Sequence, residues 1–340
     1  MTVTTDPLAV LDRTRQLTVP ALHTAVQRLE PQIARVASYH LGWCDESGSP
    51  VEGHGGKALR PALALLSAEA VQAPPRVALP GAVAVELVHS FSLVHDDLMD
   101  GDEERRHRPT AWKVFGPSMA VLAGDALLTA AVQTLHDVPG EAGRQAAQQL
   151  ADATRQLIEG QSQDLAFERR VDVSAQECLQ MAGGKTGALL ACAASIGSVL
   201  AAAPESTQQA LSGFGYHLGL AFQAVDDVLG IWGDPARTGK PAWSDLRQRK
   251  KTVPVTVALS DAGAAGAHLR QLLSGGALRD EGELALAAHL VEEAGGHAWT
   301  IAEAERHQTR ALDFLNRVSL AEGARQELVA LAEFVTRREL

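Results

Sequence analysis

Aromatic side chains are scarce: 7 Phe, 5 Trp and 2 Tyr make up 4% of 340 residues. Alternation of Val, Ile, Thr and aromatics is almost missing, which argues against a core built from sheets. There are only three cysteines, Cys44, Cys178 and Cys192, and no close CxxC pair. A disulfide scaffold and the common zinc and redox motifs are thereby excluded, and a reduced, cytoplasmic compartment is expected. Positive charge is in deficit, with 30 Lys and Arg against 41 Asp and Glu and a net charge of -11. No general basic field for nucleic acid exists, so a polyanionic ligand must be met locally.

The opening MTVTTDPLAV has neither the basic start nor the apolar core of a secretion signal. Long apolar runs are also lacking. The stretch that comes nearest, Gly187 to Ala203, is mostly Ala, Gly and Ser. It reads as a buried helix of a soluble core, since a membrane span wants about 20 strongly apolar residues. No GxSxG or HExxH occurs. GHGGKA around Lys57 lacks the Ser or Thr of a P-loop and a preceding strand. GFGYHLG at 213–219 has the wrong spacing for a dinucleotide fingerprint and reads as helix packing.

What is present is helix chemistry, with 46% hydrophobic residues dominated by Ala and Leu. Apolar residues recur at helical spacing over 22–41, 63–71, 82–99, 119–135, 144–165, 178–203, 207–229, 253–259, 284–294 and 301–335. Pro and Gly punctuate the intervals, at 42–56, 74–80, 101–117, 139, 204, 233–241 and 295–296. No repeat or linker divides the chain. The expectation is one all-α domain over 1–340, a bundle of ten or more helices.

The chemistry concentrates where apolar helices end in charge. In HSFSLVHDDLMD, Asp96 and Asp100 are four apart, so on a helix their carboxylates share one face, with Asp97 about 100° round. Carboxylates so placed repel one another unless a hard cation sits between them. Mg²⁺ prefers such oxygens and completes its shell with water and substrate phosphates. A second pair, Asp226 and Asp227 in FQAVDDVLGIWGD, also ends an apolar run, and carboxylates from separate helices are a known way to build a metal site. Lys57, Arg60, Arg105, Arg106, Lys185, Lys240 and Lys250 cluster around the same stretches, as a diphosphate site requires. His89 stands beside them.

These residues resemble the trans-isoprenyl diphosphate synthases, or polyprenyl synthetases. The matching blocks run in order: GGKALRP (55–61), HSFSLVHDDLMD (89–100), RRHRPT (105–110), AGDALL (123–128), GQSQDL (160–165), KTGALL (185–190), FQAVDDVLGIWGD (222–234), GK (239–240) and KKTVP (250–254). The resemblance implies an all-α bundle around a deep central cavity, a homodimer, and Mg²⁺-dependent head-to-tail condensation of isopentenyl diphosphate with dimethylallyl, geranyl or farnesyl diphosphate. It puts three Mg²⁺ ions on Asp96, Asp100 and Asp226, with Asp97 and Asp227 in support. Lys57, Arg60, His89 and Arg106 take isopentenyl diphosphate. Arg105, Lys185 and Lys240 take the allylic diphosphate, Lys250 covers the metal cluster, and Thr186 and Gln223 sit beside the allylic cation. Phe91 lies about one and a half helical turns, roughly 7.5 Å, before Asp96. An aromatic there resembles the short-chain synthases that make C15 to C20 products, geranylgeranyl diphosphate above all.

Three positions depart from the pattern. Gly230 stands where many members have a third Asp, His107 follows RR where many have Gly, and Trp243 follows GK by three where a Gly is frequent. Altered acidic motifs also occur in members of this fold that cyclise prenyl diphosphates, so a terpene synthase is the alternative, followed by a non-catalytic partner subunit. Lys57, Arg60, His89 and Arg106 favour elongation. Position 230 lies one turn after Asp226, so a Gly230→Asp carboxylate is expected to be tolerated and to reach the same cluster.

Overall fold

A computed structural model describes residues 6–51, 56, 58–170, 172–235, 242–274, 278 and 280–336. The all-α expectation is met. The helices are α1 Pro7–Gln27, α2 Pro31–His40, α3 Leu59–Glu69, α4 Leu79–Met99, α5 Ala111–Phe115, α6 Pro117–His136, α7 Gly140–Phe167, α8 Ala175–Ala182, α9 Ala188–Leu200 and α10 Glu205–Trp232. They continue as α11 Ser244–Arg247, α12 Val253–Ser260, α13 Ala264–Ser274, α14 Glu281–Glu293, α15 Gly296–Leu315 and α16 Glu322–Thr336. Among the described residues the sheet content is one hairpin, Glu104–Arg105 paired with Arg108–Pro109.

Apolar spacing overstated helix continuity in three places. The run over 22–41 is broken before Pro31, where the Glu30 carboxylate caps α2 by accepting from Gln32 and Ile33 N–H at 2.9 and 3.1 Å. The run over 301–335 is two helices, and Ala321 between them donates its N–H to the Ala70 carbonyl at 2.8 Å. The run over 178–203 contains a π turn, Gly183–Gly187, a rare form that tends to occur at functional sites. Periodicity also failed to mark the first part of α1 and all of α13.

The chain forms two compact units that interleave in sequence. The first comprises Met1–Thr154, Leu189–Gly215 and Phe314–Leu331. Its centre is α4, which packs chiefly on α6 and then on α3. Small residues make this close packing possible: Ala120, Ala123, Gly124, Ala130 and Ala131 of α6 are buried. The other face of α6 exposes Val121, Leu122 and Val132 at 41%, 50% and 49%. Gly213 of GFGYHLG meets the Phe314 ring, 2.4 Å from where its Cβ would stand, so this motif is indeed helix packing.

The second unit comprises Arg155–Ala188, Tyr216–Asp313 and Ala332–Leu340. Ile231, Leu246, Val255, Leu269, Leu284 and Val291 form a buried core within it. Pro75–Met99, Pro117–His136 and Ala175–Leu200 are long and apolar enough to cross a membrane by composition, with 67%, 39% and 89% of their windows buried in the fold. The Gly187–Ala203 stretch is therefore a helix inside protein, as its composition suggested.

One backbone contact sets the position of the π turn. A Cβ on Gly160 of α7 would stand 2.3 Å from the Lys185 nitrogen, and one on Gly184 would stand 2.8 Å from the Gln156 carbonyl oxygen. Both opposing atoms are main chain and cannot swing aside. Gly160→Ala is expected to destabilise the protein by about 1–3 kcal/mol, the usual cost of overpacking. A urea midpoint equal to the parent's would show that the two segments can separate without cost.

Candidate active site

Helix α4 brings the first acidic motif to its C-terminal end. The Asp100 N–H donates to the Asp96 carbonyl at 2.8 Å, and the chain turns away at Gly101 with φ +68°. Asp96 and Asp100 thus lie one turn apart and are both half-buried. The last turn holds no basic residue. Carboxylates at a helix C-terminus face its negative dipole end, at about 0.3–1 kcal/mol each, which a bound cation would relieve.

Asp97 is different, with 1% of its surface exposed. Arg105 Nε donates to its Oδ1 at 2.6 Å, while Oδ2 is buried without a hydrogen bond. Burial, opposed by Arg105, raises its carboxyl to about 6. The hairpin turn presents Arg106 and His107 at φ +54° and +60°. Arg105 and Arg106 line a cavity of about 170 Å³ together with Tyr39, His40, Asp97 and Arg108. Gly56 lies against Arg106, with its would-be Cβ 3.0 Å from a guanidinium nitrogen.

His89 lies two turns before Asp96 on α4. Burial first, then the charges of Arg60, Arg106 and Arg105, push its imidazole well below its usual range. Burial and the charges of Arg105, Arg106 and Arg108 likewise hold His40 down at about 3. Glu86 feels Arg60 and Arg106 as well, yet burial dominates and raises its carboxyl. Arg60, Arg105 and Arg106 therefore form one positive field within the first unit, and the neutral His89 lies inside it. Sequence reasoning missed Glu86 and His40, although Glu86 stands one turn before His89, a spacing that could have flagged it.

The second unit holds a different chain of contacts. Lys185 Nζ in the π turn pairs with Asp164 Oδ2 at 2.6 Å. Thr186 Oγ1 donates to Gln223 Oε1 at 2.8 Å, and Gln223 Nε2 donates to Asp227 Oδ1 at 2.8 Å. The Val253 N–H donates to Asp227 Oδ2 at 3.0 Å. Both Asp227 oxygens are thus taken by protein, and burial raises this carboxyl to about 7. Asp226 beside it is half-buried, in the last two turns of α10. Lys250 donates its backbone N–H to the Asp245 carbonyl at 2.9 Å. Asp164 is a further residue that sequence reasoning assigned no role. Lys57 and Lys240 lie outside the described residues.

The two acidic pairs share one arrangement: the first residue is half-buried, while the second is buried and hydrogen-bonded to the scaffold. Among the described residues no three of His, Cys, Asp and Glu converge as an ion site on their own. That is compatible with Mg²⁺, which keeps several waters and is commonly held by one or two carboxylates plus substrate phosphates.

The expected tolerance of Gly230→Asp meets a condition. A Cβ at 230 would stand 2.1 Å from Asp245 Oδ2, so a side chain there requires the Asp245 carboxyl group to shift. The other two departures share a backbone feature. His107 and Trp243 both occupy the left-handed region, at φ +60° and +55°, where glycine carries no Cβ penalty. Each costs about 1–2 kcal/mol. Trp243 offsets this by packing its ring on the second unit's core.

A family model described as polyprenyl synthetase matches residues 42–291. The chain belongs to the polyprenyl synthetase family. This synthetase is a prenyltransferase. It is 50% identical over 335 residues to the (2E,6E)-farnesyl diphosphate synthase of Mycobacterium tuberculosis, covering 98% of this chain and 93% of that one. A polyprenyl synthetase from Streptomyces coelicolor A3(2) has a similar crystal structure, with TM-score 0.93, 54% identity and coverage of 97% and 99%. A geranylgeranyl pyrophosphate synthase from Corynebacterium glutamicum, solved with isoprenyl diphosphate and magnesium, matches with TM-score 0.82, 27% identity and 98% coverage of each chain.

The depressed His40 has a pH consequence. Its ring stays neutral in the folded state down to about 3, whereas in the unfolded chain it takes a proton near 6.5. The unfolded state then binds more protons, so this contribution is complete above 6.5 and is lost as pH falls towards 3. His40→Gln should lose about 2–3 kcal/mol less stability than the parent between about pH 7 and pH 4.5. Urea unfolding at the two pH values checks this, and parallel losses would refute it.

Proposed function

We propose that this prenyltransferase joins isopentenyl diphosphate head to tail to an allylic diphosphate and releases a short-chain product of C15 to C20, most readily geranylgeranyl diphosphate. The observation that carries the reading is the paired arrangement of carboxylates: Asp96, Asp100 and Asp226 half-buried in the closing turns of α4 and α10, Asp97 and Asp227 buried beside them. An all-oxygen carboxylate set suits a hard cation, and the buried lone oxygen of Asp97 beside Asp96 adds negative field at the same helix end. The residues therefore fit Mg²⁺, with Asp96, Asp100 and Asp226 as its holders and three ions as the complement. When bound, the metal neutralises charge that develops on the departing diphosphate.

The protein groups do the rest. Arg60, His89 and Arg106, with Lys57, hold isopentenyl diphosphate. The neutral His89 ring, pushed below its usual range, can donate one hydrogen bond to a phosphate oxygen without adding charge to an already positive field. Lys185, freed from Asp164 by a more strongly charged partner, binds the allylic diphosphate with Arg105 and Lys240, and Lys250 closes over them. Thr186 donates its hydroxyl hydrogen bond to Gln223, so its oxygen lone pairs remain to face the allylic cation. Gln223 is fixed in turn by Asp227. The apolar outer face of α6 supports a homodimer. Cysteine usage supports a cytoplasmic setting.

Farnesyl diphosphate and Mg²⁺, with and without isopentenyl diphosphate, separate the possibilities. A longer prenyl diphosphate formed only with isopentenyl diphosphate supports elongation, and a hydrocarbon or alcohol formed without it points to cyclisation. Asp96→Ala and Asp226→Ala should each lower turnover by several orders of magnitude, while their metal-free melting points stay level or rise. Near-parental turnover of both at saturating Mg²⁺ refutes the assignment.

Phe91 is 6% exposed, and its ring stands edge-on to His95 at 5.0 Å. His95 is seated in turn on Gly124 of α6, where a Cβ would stand 2.1 Å from its Nε2. A ring held this firmly can stop a growing chain. Phe91→Ala should lengthen products beyond C20 with turnover largely kept, and an unchanged product profile in a folded variant places the floor elsewhere.

A further inference from the structure

The second acidic motif lacks a carboxylate one helical turn after Asp226, where Gly230 stands. We propose that Asp245 supplies that carboxylate from outside the helix, as a positioning residue for the Mg²⁺ that Asp226 holds. The inference rests on the metal reading above. Its main support is steric. A Cβ on Gly230 would stand 2.1 Å from Oδ2 and 2.5 Å from Cγ of Asp245, so the Asp245 carboxyl group fills the volume in which any side chain at 230 would begin.

The segment is anchored in that position. Ser244 Oγ lies 3.2 Å from the Gly230 carbonyl oxygen, to which it donates, and 3.3 Å from Asp245 Oδ1. Leu246 is 2% exposed and shares the second unit's core with Ile231, the residue after Gly230. The Lys250 N–H closes the turn onto the Asp245 carbonyl at 2.9 Å. Asp245 itself is 7% exposed. Gly230 and Asp245 are thus two halves of one device: the helix gives up its side chain so that the following segment can deliver the carboxylate.

The test uses the full chain with Mn²⁺ as the ion and inorganic pyrophosphate as the anion, bound Mn²⁺ being read by electron paramagnetic resonance. Asp245→Asn keeps the shape and removes the charge. It should weaken Mn²⁺ binding roughly tenfold or more, as loss of a supporting group does at metal sites, with no fall in the metal-free melting point. Gly230→Asp should lower that melting point, and Gly230→Asp combined with Asp245→Gly should recover both the melting point and Mn²⁺ affinity. Parent-like Mn²⁺ binding by Asp245→Asn overturns the inference, as does a folded double variant that binds no better than Asp245→Asn. Asp226→Asn separates the two levels. If it binds weakly while Asp245→Asn binds as the parent does, only this inference falls. If both bind as the parent does, the metal reading falls with it.

Discussion

Negative charge held at the negative ends of helices is the constraint on which the rest of this structure depends. Asp96 and Asp100 close α4, where the helix dipole and their mutual repulsion both oppose them, and Asp226 and Asp227 lie in the last two turns of α10. A fold built only for stability would place Lys or Arg there. The scaffold instead restrains one carboxylate in each pair, Asp97 through Arg105 and Asp227 through Gln223 and the Val253 N–H. Its neighbour is half-buried. The same restraints orient the groups nearby, because Gln223 can accept from Thr186 only while Asp227 holds its amide.

The departures from the family pattern are absorbed by the surroundings rather than by a changed backbone. His107 and Trp243 keep the left-handed conformation that a glycine would take without a Cβ penalty. At Trp243 the strain is offset by an indole packed on Ile231, Leu246 and their neighbours. At Gly230 the change runs the other way. The missing side chain is the condition for Asp245 to approach, so what looks in the sequence like a lost ligand is space put to use.

Much of the fold was legible. Apolar periodicity placed α4, α6, α7, α10 and α14 within a few residues, because long helices repeat their pattern several times. It failed where a break leaves the spacing intact, as at Pro31 and between α15 and α16, and where a π turn shifts the register by one residue, as at Gly183–Gly187. The unread start of α1 buries Thr14 and Thr18 while Leu8 and Val19 are exposed, so its apolar pattern is weak.

The sequence by itself determined the class of the fold, the placement of two acidic pairs at helix ends, and the ordered blocks that mark a polyprenyl synthetase. Each depends on residues close together along the chain, where spacing alone says which side chains share a face. Only the tertiary structure decided which member of each acidic pair is buried, that Glu86 and His40 lie within reach of the arginine charges, and that Asp164 is the partner of Lys185. Asp227 is held by a backbone N–H at residue 253, Lys185 by a carboxylate at 164, and Gly230 is covered by Asp245. Burial and partnership are set by segments that meet only when the chain has folded, and no local pattern carries that information.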